Sequence, residues 1–206
     1  MDYLVNFQKI LEEIIEDIKF EMNHPTLLLH SCCAPCSTYV LDYLMQYFKI
    51  TVFYYNPNIY PRAEYEKRLA NQKKLIIQMN GEFNSKINFI EGEYCNMEFC
   101  KNFMGLELEP EGGKRCELCY RLRLEATAKM AYKNKFDYFT TTLTVSPHKN
   151  AQTINDIGKD LANKYNVKYL FSDFKKKEGY KKSIELSRKY ELYRQNYCGC
   201  VFSKRD

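Results

Sequence analysis

The 206 residues carry a net charge of +5, and 45% are hydrophobic, 15% aromatic and 28% charged. That length suits one α/β domain, and so many apolar residues exclude a chain that is disordered throughout. No apolar run approaches the roughly 18–20 residues that span a bilayer, and so mild a basic excess permits a nucleic-acid partner without requiring one.

Phe7, Ile10, Leu11, Ile14, Ile15 and Ile18 recur at helical spacing, which predicts an amphipathic helix over Phe7–Met22. This opening stretch is acidic and lacks the basic-then-apolar order of a signal peptide, so a cytoplasmic protein without a membrane partner is expected. Pro25 ends the helix. Thr26–His30 reads as a buried strand, Ser31–Ser37 (SCCAPCS) as a loop and Thr38–Phe48 as a helix. A second strand is expected at Ile50–Asn56, then a loop with two prolines and a helix from Tyr65 to Met79 ending near Asn80-Gly81. Ile87–Glu91 reads as a third strand. Residues 92–118 show no period and contain Gly105, Gly112 and Gly113, which predicts an irregular insertion. The helix Leu118–Asn134, strand Asp137–Val145, helix Asn150–Tyr165, strand Val167–Phe174 and helix Ser183–Tyr193 complete the pattern.

Strands alternating with helices predict a single α/β domain over residues 1–206. Its sheet should be mainly parallel, with helices on both faces, in a Rossmann-like arrangement. Ligands of such sheets lie beyond the carboxyl ends of the strands. Cys32 and Cys33 stand just there, after the first strand.

Nine cysteines are too many for chance in a chain expected to be cytoplasmic, where disulfides do not persist. Cys33 and Cys36 form one C-x2-C pair, and Cys116 and Cys119 another. Four such thiolates suit a structural zinc or a [4Fe–4S] cluster. Cys32, Cys198 and Cys200 are then in surplus. Adjacent cysteines tend to point apart, so these three are expected to form a second site with an open position, as catalytic metals have. A redox-active pair at Cys198 and Cys200 is the alternative. Soft thiolates favour iron, copper(I) or zinc. Cys95 and Cys100 have no partner group and are expected to pack.

Four segments, LLLHSCCAPCS (Leu27–Ser37), RCELCYRLRLEATA (Arg115–Ala128), FTTTLTVSPHKN (Phe139–Asn150) and LYRQNYCGC (Leu192–Cys200), resemble the QueH-type epoxyqueuosine reductases. They occur in that family's order. NPNIYPRAEYEKR (Asn56–Arg68) and DFKKKEGYKKSIELS (Asp173–Ser187) are similar to it as well, so the resemblance covers about residues 26–202. It implies the last step of queuosine synthesis, in which epoxyqueuosine at the wobble position of tRNA loses its epoxide oxygen to two electrons and two protons. It also implies a cobalamin-independent reaction that uses a [4Fe–4S] cluster, a nearby single iron and an external electron donor. In the family the place of Cys36 also takes aspartate.

A metal acting as Lewis acid on the epoxide oxygen needs a proton donor beside it. His148, Tyr197 and Tyr120 are the candidates, whereas His30 is expected to support the core. Lys149, Tyr55, Asn56 and Asn58 are expected at the substrate, with a half-buried strand position the other reading of Tyr55. Lys175, Lys176 and Lys177, with Lys181 and Lys182, are expected to meet tRNA phosphates, helped by Arg121, Arg123, Arg188 and Arg194. The competing functional reading is an iron–sulfur or zinc tRNA-binding or thiolation-type protein without reductase activity. The strand–loop–helix opening has the layout of nucleotide-binding folds, but Ser31–Ser37 lacks the glycine that lets a phosphate approach the backbone.

Overall fold

The structure, a computed structural model, describes residues 5–203. Its elements are α1 (Phe7–Phe20), β1 (Thr26–His30), α2 (Ala34–Leu44), β2 (Lys49–Tyr54), α3 (Arg62–Phe83), β3 (Asn88–Glu91), α4 (Asn96–Lys101), α5 (Lys114–Lys133), β4 (Tyr138–Thr141), α6 (Ala151–Tyr165), β5 (Lys168–Tyr169) and α7 (Gly179–Lys189). The five strands form one sheet in the order β3-β2-β1-β4-β5, and every pairing is parallel.

Alternate residues of β1 face opposite layers, as the pleat requires. Leu27 and Leu29 pack with α1, α2, α3 and α7. Leu28 packs with α5 and α6. The sheet is therefore covered on both faces, which is why its strands are almost continuously apolar. Gly158 lets α6 approach β5: an added Cβ would lie 2.4 Å from the Tyr169 ring.

The chain order reverses between β1 and β4. His30 pairs with Thr141 at their carboxyl ends, so the residues that follow, Ser31–Cys33 and Thr142, open the crevice of the switch point.

Several boundaries differ from the sequence reading, and two of them matter for chemistry. α2 starts at Ala34, not Thr38. Extended Cys33 is its N-cap, and Pro35 sits in the first turn, where a missing N–H costs nothing. α5 starts at Lys114, so Cys116 joins Cys119 on its opening turns instead of standing in a loop. α3 runs through Gly81 to Phe83 and stops at left-handed Asn84. β4 ends at Thr141 and continues as a 3-10 turn over Thr142–Val145. The last strand keeps only Lys168–Tyr169, and α7 begins four residues earlier than the period suggested. The insertion contains one short helix, α4.

Candidate metal centre

The loop after β1 is laced from beneath. The Ser31 and Ser37 hydroxyls lie 2.7 Å apart, and Ser31 donates to Gln72 Oε1 at 2.7 Å. Ser37 also reaches the Cys33 carbonyl at 3.0 Å. The Cys32 N–H donates to Thr142 Oγ1 at 3.1 Å, and that hydroxyl donates to Cys32 Sγ at 3.3 Å. The loop is held from the turn after β4 on one side and from α3 on the other.

This bracing brings the sulfurs of Cys32, Cys33 and Cys36 within 4.8 Å of one another. The expectation that Cys32 and Cys33 point apart is corrected: their Sγ atoms are 3.8 Å apart. A tetrahedral thiolate site with metal–sulfur bonds of about 2.3 Å separates its sulfurs by about 3.8 Å. The three thiols thus fit a soft metal. The Cys33 and Cys36 thiols hold the Cys32 thiol well below its ordinary range. Hydrogen bonding with Cys32 pushes Cys33 up to about 12.

Two further segments supply thiols. At the start of α5, the Gly112 N–H donates to Cys116 Sγ at 3.3 Å, and burial pushes Cys119 up to about 12. Arg115 collects the carbonyls of Leu106, Glu107 and Glu109 and so folds the insertion against this helix. The Cys198-Gly199-Cys200 turn is fastened to α3 by Arg68, whose Nη1 donates to the Cys198 carbonyl at 3.0 Å. Gly199 has φ +113, and a Cβ there would lie 2.8 Å from Arg68 Nη1, so only glycine fits.

A cavity of about 280 Å³ opens over Cys32, Cys33, Cys36 and Cys198, with Arg123, His148, Lys149, Glu111 and Tyr197 on its walls. A smaller one of about 30 Å³ adjoins it, between Cys116, Cys119, Cys198 and Cys200. Cys198 lines both. Burial alone would lower the Lys149 amine, but the Cys198 and Cys32 sulfurs hold it well above its ordinary value.

The family model described as "Epoxyqueuosine reductase QueH" matches residues 27–206. The chain belongs to the QueH family. It is 47% identical over 201 residues to an epoxyqueuosine reductase QueH of Staphylococcus epidermidis, covering 97% of this chain and 84% of the relative. A Streptococcus pyogenes serotype M1 relative of the same name is 44% identical over 201 residues, covering 98% and 79%. One from Thermotoga maritima is 40% identical over 184 residues, covering 86% and 90%.

Within this QueH-family fold, the residues expected at the site divide. His148 and Tyr197 reach the larger cavity, His148 from an exposed position on its rim. Tyr197 donates to the Tyr60 carbonyl at 3.3 Å. Tyr120 lines the smaller cavity, its phenol pushed up by burial. His30 is a core histidine, as expected: its ring nitrogens meet Thr141 Oγ1 at 2.8 Å and the Tyr55 carbonyl at 3.1 Å, and burial pushes it down to about 3.

Asn56, expected at the substrate, is taken up by the protein itself. It is buried, donates to the Ser31 carbonyl at 2.8 Å and accepts from Arg123 Nη2 at 2.6 Å. Tyr55 is half-buried and stacks on Phe53. Asn58 lines the smaller cavity, and its buried Oδ1 has no partner among the described residues.

Lys175, Lys176 and Lys177 do not line the larger cavity. Lys175 pairs with Asp173 at 2.8 Å, and Lys177 pairs with Glu12 of α1. Both are engaged by carboxylates that the sequence keeps close or that α1 brings over. Cys95 donates to Glu93 Oε1 at 3.0 Å, but Cys100, expected only to pack, lines the smaller thiol cavity. The sequence reading also missed Arg68 and Gln72. The Glu64–Arg68 spacing of four on a helix was the available signal for the first.

Proposed function

We propose that this QueH-family chain reduces epoxyqueuosine in tRNA to queuosine, removing the epoxide oxygen as water with two electrons and two protons. The observation that carries the reading is the group of three converging thiols at the floor of the switch-point cavity. The names of relatives up to 47% identical over nearly the whole chain support the substrate. A substrate that is tRNA also supports a cytoplasmic location, and among the described residues no helix is long and apolar enough to cross a membrane.

The ligands come from Cys32, Cys33, Cys36, Cys116, Cys119, Cys198 and Cys200. A [4Fe–4S] cluster held there would relay single electrons from an external donor, and a second thiolate-bound iron would polarise the epoxide oxygen. Two divisions of the thiols compete. In one, Cys33, Cys36, Cys116 and Cys119 hold the cluster and Cys32, Cys198 and Cys200 the single iron. In the other, Cys32 acts with Cys33 and Cys36. The 3.8 Å separation of the Cys32 and Cys33 sulfurs favours the second.

The chain's own groups do the remaining work. Lys149 puts a cation on the cavity wall, where it favours negative charge developing on the leaving oxygen. His148 and Tyr197 bring exchangeable protons to the same wall. Protein purified without oxygen should be brown and contain iron and sulfide, and with a chemical reductant it should convert epoxyqueuosine tRNA to queuosine tRNA, read by mass spectrometry of the nucleosides. Colourless zinc protein, or iron-replete protein that leaves the epoxide intact, refutes the reading.

A further inference from the structure

Three arginines are almost wholly buried, and they are balanced differently: Arg115, 5% exposed, is held by the carbonyls of Leu106, Glu107 and Glu109. Arg68, 2% exposed, has a carboxylate: its Nε donates to Glu64 at 2.7 Å. Arg123, 1% exposed, enters none of the ion pairs formed among the described residues. Its Nη2 donates to Asn56 Oδ1 at 2.6 Å, its Nη1 lies 3.9 Å from Cys119 Sγ, and its Nε has no partner among the described residues. Arginine does not lose its proton in proteins, and a buried cation without a counter-charge is strongly unfavourable. The groups beside this guanidinium are a sulfur and an amide, Cys119 Sγ and Asn56 Oδ1, and not a carboxylate. It lines the same cavity as the three converging thiols.

Asn56 aims the cation. It is held by the Ser31 carbonyl, one residue before Cys32, and so fixes Arg123 between the loop thiols and those of α5.

We propose that Arg123 is the charge partner of the thiolate-bound metal centre: the guanidinium offsets the net negative charge that deprotonated cysteines bring to the assembly, and Asn56 holds it in place. This rests on the proposed function for the identity of the centre, but the charge argument holds for any thiolate-bound metal. A fixed cation favours the more negative, reduced state, so it raises the reduction potential of a cluster bound beside it.

The test compares Arg123→Gln, which loses the charge but keeps an amide donor, with Arg123→Lys, which keeps the charge but loses the fork. Anaerobic proteins are loaded with ferrous iron and sulfide and titrated with reductant under electron paramagnetic resonance. The reduction constant should fall at least tenfold in Arg123→Gln, about 59 mV for a one-electron couple. In Arg123→Lys it should stay within threefold of the wild type. An unchanged potential in an iron- and sulfide-replete Arg123→Gln protein overturns the proposal.

Should Arg123→Gln take up no iron and sulfide, thermal unfolding of the metal-free proteins decides. The variant should be at least as stable as the wild type, because an uncompensated buried charge is gone. A lower melting temperature would assign Arg123 a role independent of metal and overturn the proposal. Wild-type protein that accepts zinc but not iron and sulfide refutes the iron–sulfur reading alone. The charge partner is then tested by the zinc-induced rise in melting temperature, which should be smaller in Arg123→Gln; an equal rise overturns it.

Discussion

Arg68→Met should destabilise the protein while filling nearly the same space. The guanidinium is 2% exposed and the Glu64 side chain 13%, so removing the cation strands a largely buried carboxylate. The Tyr193 hydroxyl, 3.2 Å from Glu64 Oε1, remains as its only substantial partner among the described residues. Breaking a buried pair from one side costs about 3–5 kcal/mol, and Glu64's partial exposure places this case near about 3 kcal/mol. For a domain of this length about 2–4 °C is lost per kcal/mol, giving a drop of about 6–12 °C. Circular-dichroism melting of metal-free protein reads it. The double variant Arg68→Met with Glu64→Gln should recover part of the loss, because the stranded charge is then gone. A single variant melting within 2 °C of the wild type, or a double variant no better than the single, would show that this pair is not balanced as described.

Cys33→Ala and Cys116→Ala should each lose iron and sulfide, measured by metal analysis; full content in both would refute a cluster shared between α2 and α5. Cys198→Ala should lose turnover; retained cluster absorption would put Cys198 at a separate iron, and loss of the absorption would make it a cluster ligand. Changing Lys175, Lys176 and Lys177 together to Gln should reduce the salt slope of tRNA binding by no more than one phosphate contact, about 0.7–0.9 log units per log unit of salt, since two of the three are already ion-paired. Filter binding across a salt series measures this, and a loss of two or more contacts would return the whole cluster to the RNA. Gly158→Ala, which drives a Cβ into the Tyr169 ring, should cost about 1–3 kcal/mol in a melting experiment. An unchanged melting temperature would contradict that close packing.

The alternation of strand and helix made the parallel sheet readable, because each buried strand is a short apolar run bounded by turn residues. The C-x2-C pairs were equally plain. What could not be read was where α2 and α5 begin. Both start on residues without apolar period, Ala34-Pro35 and Lys114-Arg115, so their first turns were read as loop. Nor could the sequence show that Asn56 and Arg123 meet, since 67 residues separate them and only the packing of α5 against β1 and β2 joins them. Both looked like polar residues free for a substrate. Lys177 misled in the same way, because its partner Glu12 lies far away on α1.

Cys33 caps α2 and Gly113 caps α5, so two helices begin at the thiols. Each helix start carries about half a positive charge from aligned peptide groups. The field that greets a negative centre is therefore written partly into the main chain, where no side-chain substitution can erase it. Mobile ions screen exposed charges but reach buried dipoles poorly. One molecule thus has two electrostatic regimes: an outer one that salt dissolves, and an inner one around the clustered thiols that salt hardly reaches.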